Sequence, residues 1–180
     1  MNNLANILTL GRLALLPLII LLFFVPADWA AWSVLVLYIA GAVSDWLDGW
    51  VARAYNQTSD FGRFLDPIAD KIFVVTVLLM LVATDRIEGV WVIAVIIILM
   101  REFLVAGLRE FLGPKGIVLP VTTLAKWKTG LQMVATGFLI VAPALGTMAH
   151  WFGLLGLSAA AVLTAVTGWE YMKTGWAHIH

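Results

Sequence analysis

Cysteine is absent from this chain of 180 residues, and charged residues are scarce. Without cysteine, the chain can form neither a disulfide bond nor a thiolate metal site. Charged residues make up 12% of the sequence, whereas a soluble domain has roughly a quarter. The formal net charge is zero, and no basic stripe or nucleic-acid motif occurs. An ordinary soluble domain is therefore excluded, and no nucleic acid is expected as a partner.

Hydrophobic residues dominate instead, with 62% of the chain and a mean hydropathy of +0.98. A helix needs roughly 20 apolar residues to cross a bilayer core of about 30 Å. Six stretches meet this requirement, near residues 4–25, 30–54, 64–83, 89–112, 118–142 and 148–171. Because their connections are short, we expect residues 1–180 to form a single all-α integral membrane domain with six transmembrane helices.

Basic residues lie unevenly at the ends of these predicted helices. Only Arg86 falls in a loop on one side. The opposite side carries Arg12, Arg53, Arg63, Arg109, Lys115, Lys126, Lys128 and Lys173. An excess of basic residues marks the cytoplasmic side, so we expect a multi-pass protein with both termini in the cytoplasm. The first stretch has the outline of a signal peptide, but the five further spans favour an uncleaved anchor.

Four aspartates stand inside two of the predicted spans. They are Asp45, Asp48, Asp66 and Asp70. An ionised carboxylate at a membrane centre costs about 2.5–3.5 kcal/mol, so all four would cost on the order of 10 kcal/mol without neutralisation. If both segments are helical, Asp45 and Asp48 (i,i+3) share one helix face, and Asp66 and Asp70 (i,i+4) share a face of the next helix. The polar run 56–62 predicts a turn between the segments, so the four carboxylates can converge.

The chemistry of this donor set favours a metal site. Carboxylate oxygens suit Mg²⁺, Mn²⁺ or Ca²⁺ rather than zinc. Four negative charges balance two divalent ions, and two metals about 3.5–4 Å apart serve in-line displacement at phosphorus. In the alternative, each carboxylate is neutralised by a separate basic side chain, but only Arg53, Arg63 and Lys71 are near in sequence. We therefore expect an oxygen-only dinuclear site.

The same segment fits the pattern D-x2-D-G-x2-A-R-x8-G-x3-D-x3-D without a mismatch. Its fixed positions are Asp45, Asp48, Gly49, Ala52, Arg53, Gly62, Asp66 and Asp70. This is the signature of the CDP-alcohol phosphatidyltransferases, which the chain therefore resembles. The resemblance implies two divalent cations, Mg²⁺ or Mn²⁺, on the four aspartates, with Asp70 as the catalytic base. It also implies that Gly49, Ala52 and Arg53 bind the cytidine diphosphate.

A polar face also occurs on the first predicted helix. Asn6, Thr9 and Arg12 repeat every three residues and so share one side of a helix. They are typical either of an amphipathic helix at the membrane interface or of a ligand-binding face. The family resemblance favours the second interpretation, in which this face closes over the nucleotide.

Basic side chains in two later spans suit a phosphate monoester. Arg101 and Arg109 lie eight residues apart and so roughly on one helix face, whereas Lys126 and Lys128 point in different directions. We expect Arg101, Arg109, Lys126 and Lys128 to include the ligands of an acceptor phosphate, with one of the two lysines facing the site. The alternatives are mutual pairing with glutamates such as Glu102 and, for the lysines, a cytoplasmic flank.

The resemblance extends over nearly the whole chain through the runs F-L-D-P-I-A-D-K, R-E-F-L-V-A-G-L-R-E and T-T-L-A-K-W-K-T-G-L-Q. It implies a reaction of CDP-diacylglycerol with sn-glycerol 3-phosphate that gives phosphatidylglycerophosphate and CMP. It further suggests a homodimer. From the positive-inside rule and the aspartate positions, we expect a cytoplasm-facing active site between helices 2 and 3, among the lipids of a bacterial inner membrane. Inositol phosphate, serine and phosphatidylglycerol are alternative acceptors within the family. A divalent-cation transporter is an alternative outside it, but residues 29–43 carry few polar groups for an ion path.

Overall fold

The computed structural model describes residues 4–54, 60–117 and 123–176. The side chains of residues 4–6, 45, 46, 48–54, 60, 61, 63 and 176 are not among those described. The described residues form six α-helices and no strand. These are α1 (Leu4–Phe23), α2 (Asp28–Ala54), α3 (Asp60–Ala83), α4 (Val92–Leu112), α5 (Thr123–Leu145) and α6 (Thr147–Trp176). Each apolar stretch coincides with one helix, so the all-α prediction is confirmed.

Three helical segments are long and apolar enough to cross a membrane: Gly89–Lys115, Thr123–Leu145 and Thr147–Gly175. The stretches Ile7–Phe23 and Asp28–Ser44 are apolar but shorter among the described residues. Large apolar side chains lie exposed along the helices, which a soluble surface does not tolerate in such numbers. The chain is therefore a membrane protein, while passage of all six helices through the bilayer stays a prediction.

The chain divides into two compact units. The first comprises residues 1–86 and 140–146, and the second comprises residues 87–139 and 147–180. In the first unit, α1 packs against both α2 and α3, and Ile19, Val34 and Leu78 are completely buried. In the second unit, α4 packs against α6. Helix α1 is thus the shared neighbour of the two helices that carry the aspartates.

A glycine brings α2 and α3 together within the first unit. A Cβ atom on Gly41 of α2 would collide with the ring of Phe73 on α3. The same ring stacks on Tyr38 with a centroid distance of 5.9 Å and an interplanar angle of 9°. Since apolar lipid gives helices little hydrophobic reason to associate, close packing at small residues holds them together. This contact lies one turn from Asp45 and Asp70 along their helices.

Glycines have the same effect between α5 and α6 in the second unit. A Cβ atom on Gly153 would lie 2.5 Å from Leu139 Cγ, and one on Gly156 would lie 3.0 Å from Ala135 Cβ. Both distances are too short for a larger residue without movement of its neighbour. The two contacts run in opposite sequence directions, so α5 and α6 are antiparallel. This packing fixes which residues of α5 can face the buried side of the unit.

Arg86 shows how a basic side chain is satisfied in the first unit. It follows α3 in a turn, donates through Nη1 to the carbonyl oxygen of Ile140 at 2.6 Å, and lies 4.9 Å from the Phe23 ring centroid. Burial lowers the pKa of the Arg86 guanidinium from its ordinary value because it disfavours the charged form. The carbonyl dipole and the aromatic ring compensate for part of that lost hydration.

Candidate active site

The two aspartate pairs lie on helices, as their spacing requires. Asp45 and Asp48 belong to the second half of α2, and Asp66 and Asp70 belong to the first half of α3. Each pair therefore occupies a single face of its own helix. The side chains of Asp45 and Asp48 lie outside the described residues, as do residues 55–59 of the predicted turn. Convergence of all four carboxylates stays a prediction.

Helix α1 supplies a direct contact to one of these carboxylates. Thr9 is completely buried, and its Oγ1 donates a hydrogen bond to Asp66 Oδ1 at 2.8 Å. The two residues are 57 positions apart in the chain, so this contact depends on the packing of α1 against α3. A hydrogen bond to an ionised acceptor is roughly twice as strong as one between neutral groups. Thr9 therefore restrains the orientation of Asp66.

Arg12 makes the corresponding contact to the other aspartate helix. Only 2% of Arg12 is exposed, and its Nε donates to Ser44 Oγ at 3.3 Å. Ser44 in turn donates to the backbone oxygen of Gly41 at 2.9 Å. Because Ser44 immediately precedes Asp45, Arg12 attaches α1 beside the first aspartate pair. The side chain of Asn6, the third member of the predicted face, lies outside the described residues.

A divalent cation fits the donor chemistry of this region. Asp66 and Asp70 present oxygen ligands one turn apart on α3, and a carboxylate fixed by a hydrogen bond is typical of metal ligands. Among the described side chains alone, no group of three or more acidic or histidine residues could hold one ion. That set omits Asp45 and Asp48, which the dinuclear site requires. The described positions of Asp66 and Asp70 are thus compatible with their predicted role as metal ligands.

The three predicted nucleotide ligands on α2 lie outside the set of described side chains. Helix α2 continues past the first aspartate pair and includes Gly49, Ala52 and Arg53, so the backbone of these residues is helical. Gly49 and Ala52 lie three residues apart and therefore share a side of α2. Their role as a surface of close approach for the cytidine diphosphate stays a prediction.

A second group of charged side chains lies within the second unit. Lys128 Nζ donates to Glu102 Oε1 at 2.6 Å, and Arg101 Nη1 donates to the same oxygen at 3.2 Å. The Lys128 side chain is 3% exposed, whereas Lys126 is exposed. The two lysines therefore point to different sides of α5, and only Lys128 joins this group. Glu102 connects α4 to α5 through the ion pair.

Tyr171 completes this group, which we name the basic cluster: Arg101, Glu102, Arg109, Lys128 and Tyr171. The guanidinium carbons of Arg101 and Arg109 lie 5.4 Å and 5.5 Å from the centroid of the Tyr171 ring. Both distances allow cation–π attraction. Arg101 and Arg109 do lie on one side of α4, as their spacing indicates. Three cations and one glutamate leave the cluster with an excess of positive charge.

Further polar atoms are buried in the second unit. Among the described side chains, Arg101 Nε, Gln132 Oε1 and Thr164 Oγ1 are buried without a hydrogen-bond partner. Gln132 lies one helix turn after Lys128 on the same side of α5. A buried polar atom without a partner is costly, and water or a ligand usually supplies the missing bond. These atoms indicate a polar interior near the basic cluster.

Two of these contact residues were not identified from the sequence. Ser44 could have been found, because it directly precedes an intramembrane aspartate. Tyr171 had no such signal, since one tyrosine in an apolar span resembles an interfacial anchor. Its position beneath two guanidinium groups results from the packing of α6 against α4.

Comparison with known proteins finds a matching family model and similar named proteins. The family model described as CDP-alcohol phosphatidyltransferase matches residues 2–166. The chain is similar to the CDP-diacylglycerol–glycerol-3-phosphate 3-phosphatidyltransferase of Rickettsia bellii, with 42% identity over 96% of this chain and 94% of the relative. It is also similar to the enzymes of the same name from Bacillus subtilis and Shigella flexneri. The Bacillus subtilis enzyme is 38% identical over 98% of this chain and 96% of its own length. The Shigella flexneri enzyme is 32% identical over 95% of this chain and 92% of its own length.

Proposed function

The chain belongs to the CDP-alcohol phosphatidyltransferase family, and we propose that it transfers the phosphatidyl group of CDP-diacylglycerol to sn-glycerol 3-phosphate. The products are phosphatidylglycerophosphate and CMP. The observation that carries this proposal is similarity over nearly the full length of relatives that bear the name of this reaction. The unbroken aspartate signature from Asp45 to Asp70 supports the shared chemistry.

The reaction is a direct displacement at the lipid-bearing phosphorus. Asp70 accepts the proton of the glycerol hydroxyl as the oxygen attacks, and the bond from phosphorus to the CMP oxygen breaks. No covalent intermediate on the enzyme is needed. The four signature aspartates would hold two divalent cations, Mg²⁺ or Mn²⁺, which supply neutralising charge at the diphosphate when bound.

The residues of α2 and α1 would bind the nucleotide portion. Gly49 and Ala52 have almost no side chain, so a cytidine diphosphate can lie close to the helix, and Arg53 supplies a positive charge next to it. Thr9 and Arg12 were expected to share this role with Asn6. Their contacts to Asp66 and Ser44 bring Thr9 and Arg12 close to the aspartate helices, where this nucleotide would lie.

The basic cluster would bind the phosphate of the acceptor. Arg101, Arg109 and Lys128 together carry three positive charges against the single negative charge of Glu102, which matches the charge of a phosphate dianion. Because this phosphate is remote from the reacting hydroxyl, its binding chiefly orients that hydroxyl. Lys126 is exposed on the other side of α5 and would contribute less.

The membrane arrangement follows from the same proposal. Six spans with both termini in the cytoplasm would place the aspartate region of α2 and α3 at the inner leaflet of a bacterial inner membrane. There, a water-soluble acceptor and a lipid donor can meet. The family match over residues 2–166 supports a single catalytic domain. A homodimer of twofold symmetry is the proposed assembly, since that symmetry is the commonest among oligomers.

An acceptor screen tests the proposed reaction. The full chain in detergent is given labelled CDP-diacylglycerol with glycerol 3-phosphate, glycerol, inositol phosphate, serine or phosphatidylglycerol. We expect CMP release and a phosphatidylated product only with glycerol 3-phosphate. EDTA should abolish turnover, and Mg²⁺ or Mn²⁺ should restore it. Turnover with another acceptor alone would contradict the substrate assignment, and full turnover in EDTA would contradict the metal site.

A further inference from the structure

Helix α1 carries two buried polar side chains that reach different aspartate helices. Thr9 contacts α3 through Asp66, and Arg12 contacts α2 through Ser44, the residue before Asp45. Helix α1 also packs against both α2 and α3. A solvated amphipathic helix would leave these polar groups exposed, but Thr9 is 0% and Arg12 is 2% exposed. The polar side of α1 is therefore an internal support of the aspartate region.

The Thr9 hydroxyl can donate only one hydrogen bond, and this limits which groups it can bind. A threonine hydroxyl has one proton to donate, and Thr9 directs it to Asp66 Oδ1 at 2.8 Å. While it is donated to Asp66, that proton is not available to a nucleotide phosphate. Asp66 has two carboxylate oxygens, and the hydroxyl engages one of them. Restraining one oxygen fixes the plane of the carboxylate and thereby the direction of the other.

We propose that Thr9 is a positioning residue that fixes the Asp66 carboxylate for a divalent cation, rather than a ligand of the nucleotide. This inference rests on the metal site of the proposed function and adds a specific residue to it. Groups that hydrogen-bond a metal ligand typically change metal affinity ten- to hundredfold when they are removed. Thr9 acts on affinity for the cation through Asp66, and the contact of Arg12 to Ser44 keeps α1 in place beside α2.

Replacement of the hydroxyl separates these roles. Thr9→Val keeps the shape of the side chain and removes the donor, and Thr9→Ser keeps the donor and removes a methyl group. Thr84→Val is a matched control, because the Thr84 hydroxyl donates to the backbone oxygen of Met80 at the far end of α3. Thr9→Ala is a second hydroxyl-free variant in case Thr9→Val is not recovered as folded protein.

The readout is Mn²⁺ binding to the full chain in detergent without either substrate, measured by electron paramagnetic resonance of free Mn²⁺. We expect Thr9→Val to weaken Mn²⁺ binding about ten- to hundredfold, and Thr9→Ser and Thr84→Val to stay close to wild type. Asp66→Asn serves as the reference for loss of the ligand itself. The KM for CDP-diacylglycerol is then measured at saturating Mg²⁺, where Thr9→Val should regain a value near that of wild type.

The possible outcomes are distinct. If Thr9→Val and Thr9→Ala bind Mn²⁺ like wild type, the positioning role is wrong while the metal site stands. If Thr9→Val instead raises the KM for CDP-diacylglycerol at saturating Mg²⁺ without affecting Mn²⁺ binding, Thr9 is a nucleotide ligand. A wild-type chain that binds no Mn²⁺ would overturn the metal site of the proposed function and this inference together.

Discussion

Two regions of the chain carry opposite charge. Between residues 45 and 71 there are five aspartates and three basic residues, whereas between residues 101 and 128 there are five basic residues and two glutamates. The first region belongs to the first unit and the second region to the second unit. An apolar environment penalises uncompensated charge of either sign. The proposed function therefore assigns the divalent cations to the first region and the acceptor phosphate to the second.

The described contacts in the two regions also differ in kind. In the first, a neutral hydroxyl of Thr9 restrains Asp66 and leaves its charge in place. In the second, Glu102 compensates part of the charge of Arg101 and Lys128, and Tyr171 lies under two guanidinium groups. A carboxylate restrained by a neutral donor, like Asp66, is what the proposed divalent cations would bind. A partly compensated basic cluster suits a phosphate that must bind and then leave with the product.

The largest effect is expected from the removal of one aspartate charge. Asp66→Asn keeps the size of the side chain and an oxygen that can accept from Thr9, but it loses the negative charge. We expect kcat/KM to fall by at least about a hundred- to a thousandfold, since charge stabilisation in a site without water is usually a large contribution. Asp28→Asn, at the exposed first turn of α2, is the matched control and should stay within about twofold. A loss of less than tenfold in kcat/KM for Asp66→Asn would contradict the assignment of the carboxylates to the active site.

An intermediate effect should distinguish the two lysines of α5. Lys128→Met removes a buried cation paired with Glu102, and Lys126→Met removes an exposed one. A lost charge-assisted contact corresponds to about 1.5–3 kcal/mol, so Lys128→Met should raise the KM for glycerol 3-phosphate roughly ten- to hundredfold. The KM for CDP-diacylglycerol should change little, and Lys126→Met should change neither KM by more than about threefold. Equal effects of both variants would show that burial and pairing do not define the phosphate site.

The smallest effect tests the geometry of the basic cluster without a change in charge. A Cβ atom on Gly168 would lie 2.9 Å from Arg101 Cγ, so Gly168→Ala forces the Arg101 side chain to move. We expect the KM for glycerol 3-phosphate to rise by a factor of a few, because the guanidinium is displaced but not lost. Gly107→Ala on α4 is the control, since no atom lies within 4 Å of the added carbon. Identical kinetics for the two variants would contradict a role of Arg101 in acceptor binding.

The helices and the aspartate region were largely predictable from the sequence. Apolar length located six helices, and residues 118–122 of the predicted fifth span lie outside the described residues. Helical spacing placed Asp66 and Asp70 on one face of α3, and it separated the directions of Lys126 and Lys128. It did not show which lysine is buried, because a two-residue step gives only the relative direction of the side chains. The family resemblance was confirmed by the match over residues 2–166.

The sequence by itself determined the helices, the membrane character and the identity of the carboxylate set, because hydropathy and helical spacing act over a few neighbouring residues. Only the tertiary structure decided the partners: Thr9 with Asp66, Arg12 with Ser44, and Lys128 with Glu102. These pairs are 57, 32 and 26 residues apart. Whether such residues meet depends on which faces of two helices pack together, and in an apolar solvent that choice is made by shape at small residues such as Gly41 rather than by local pattern.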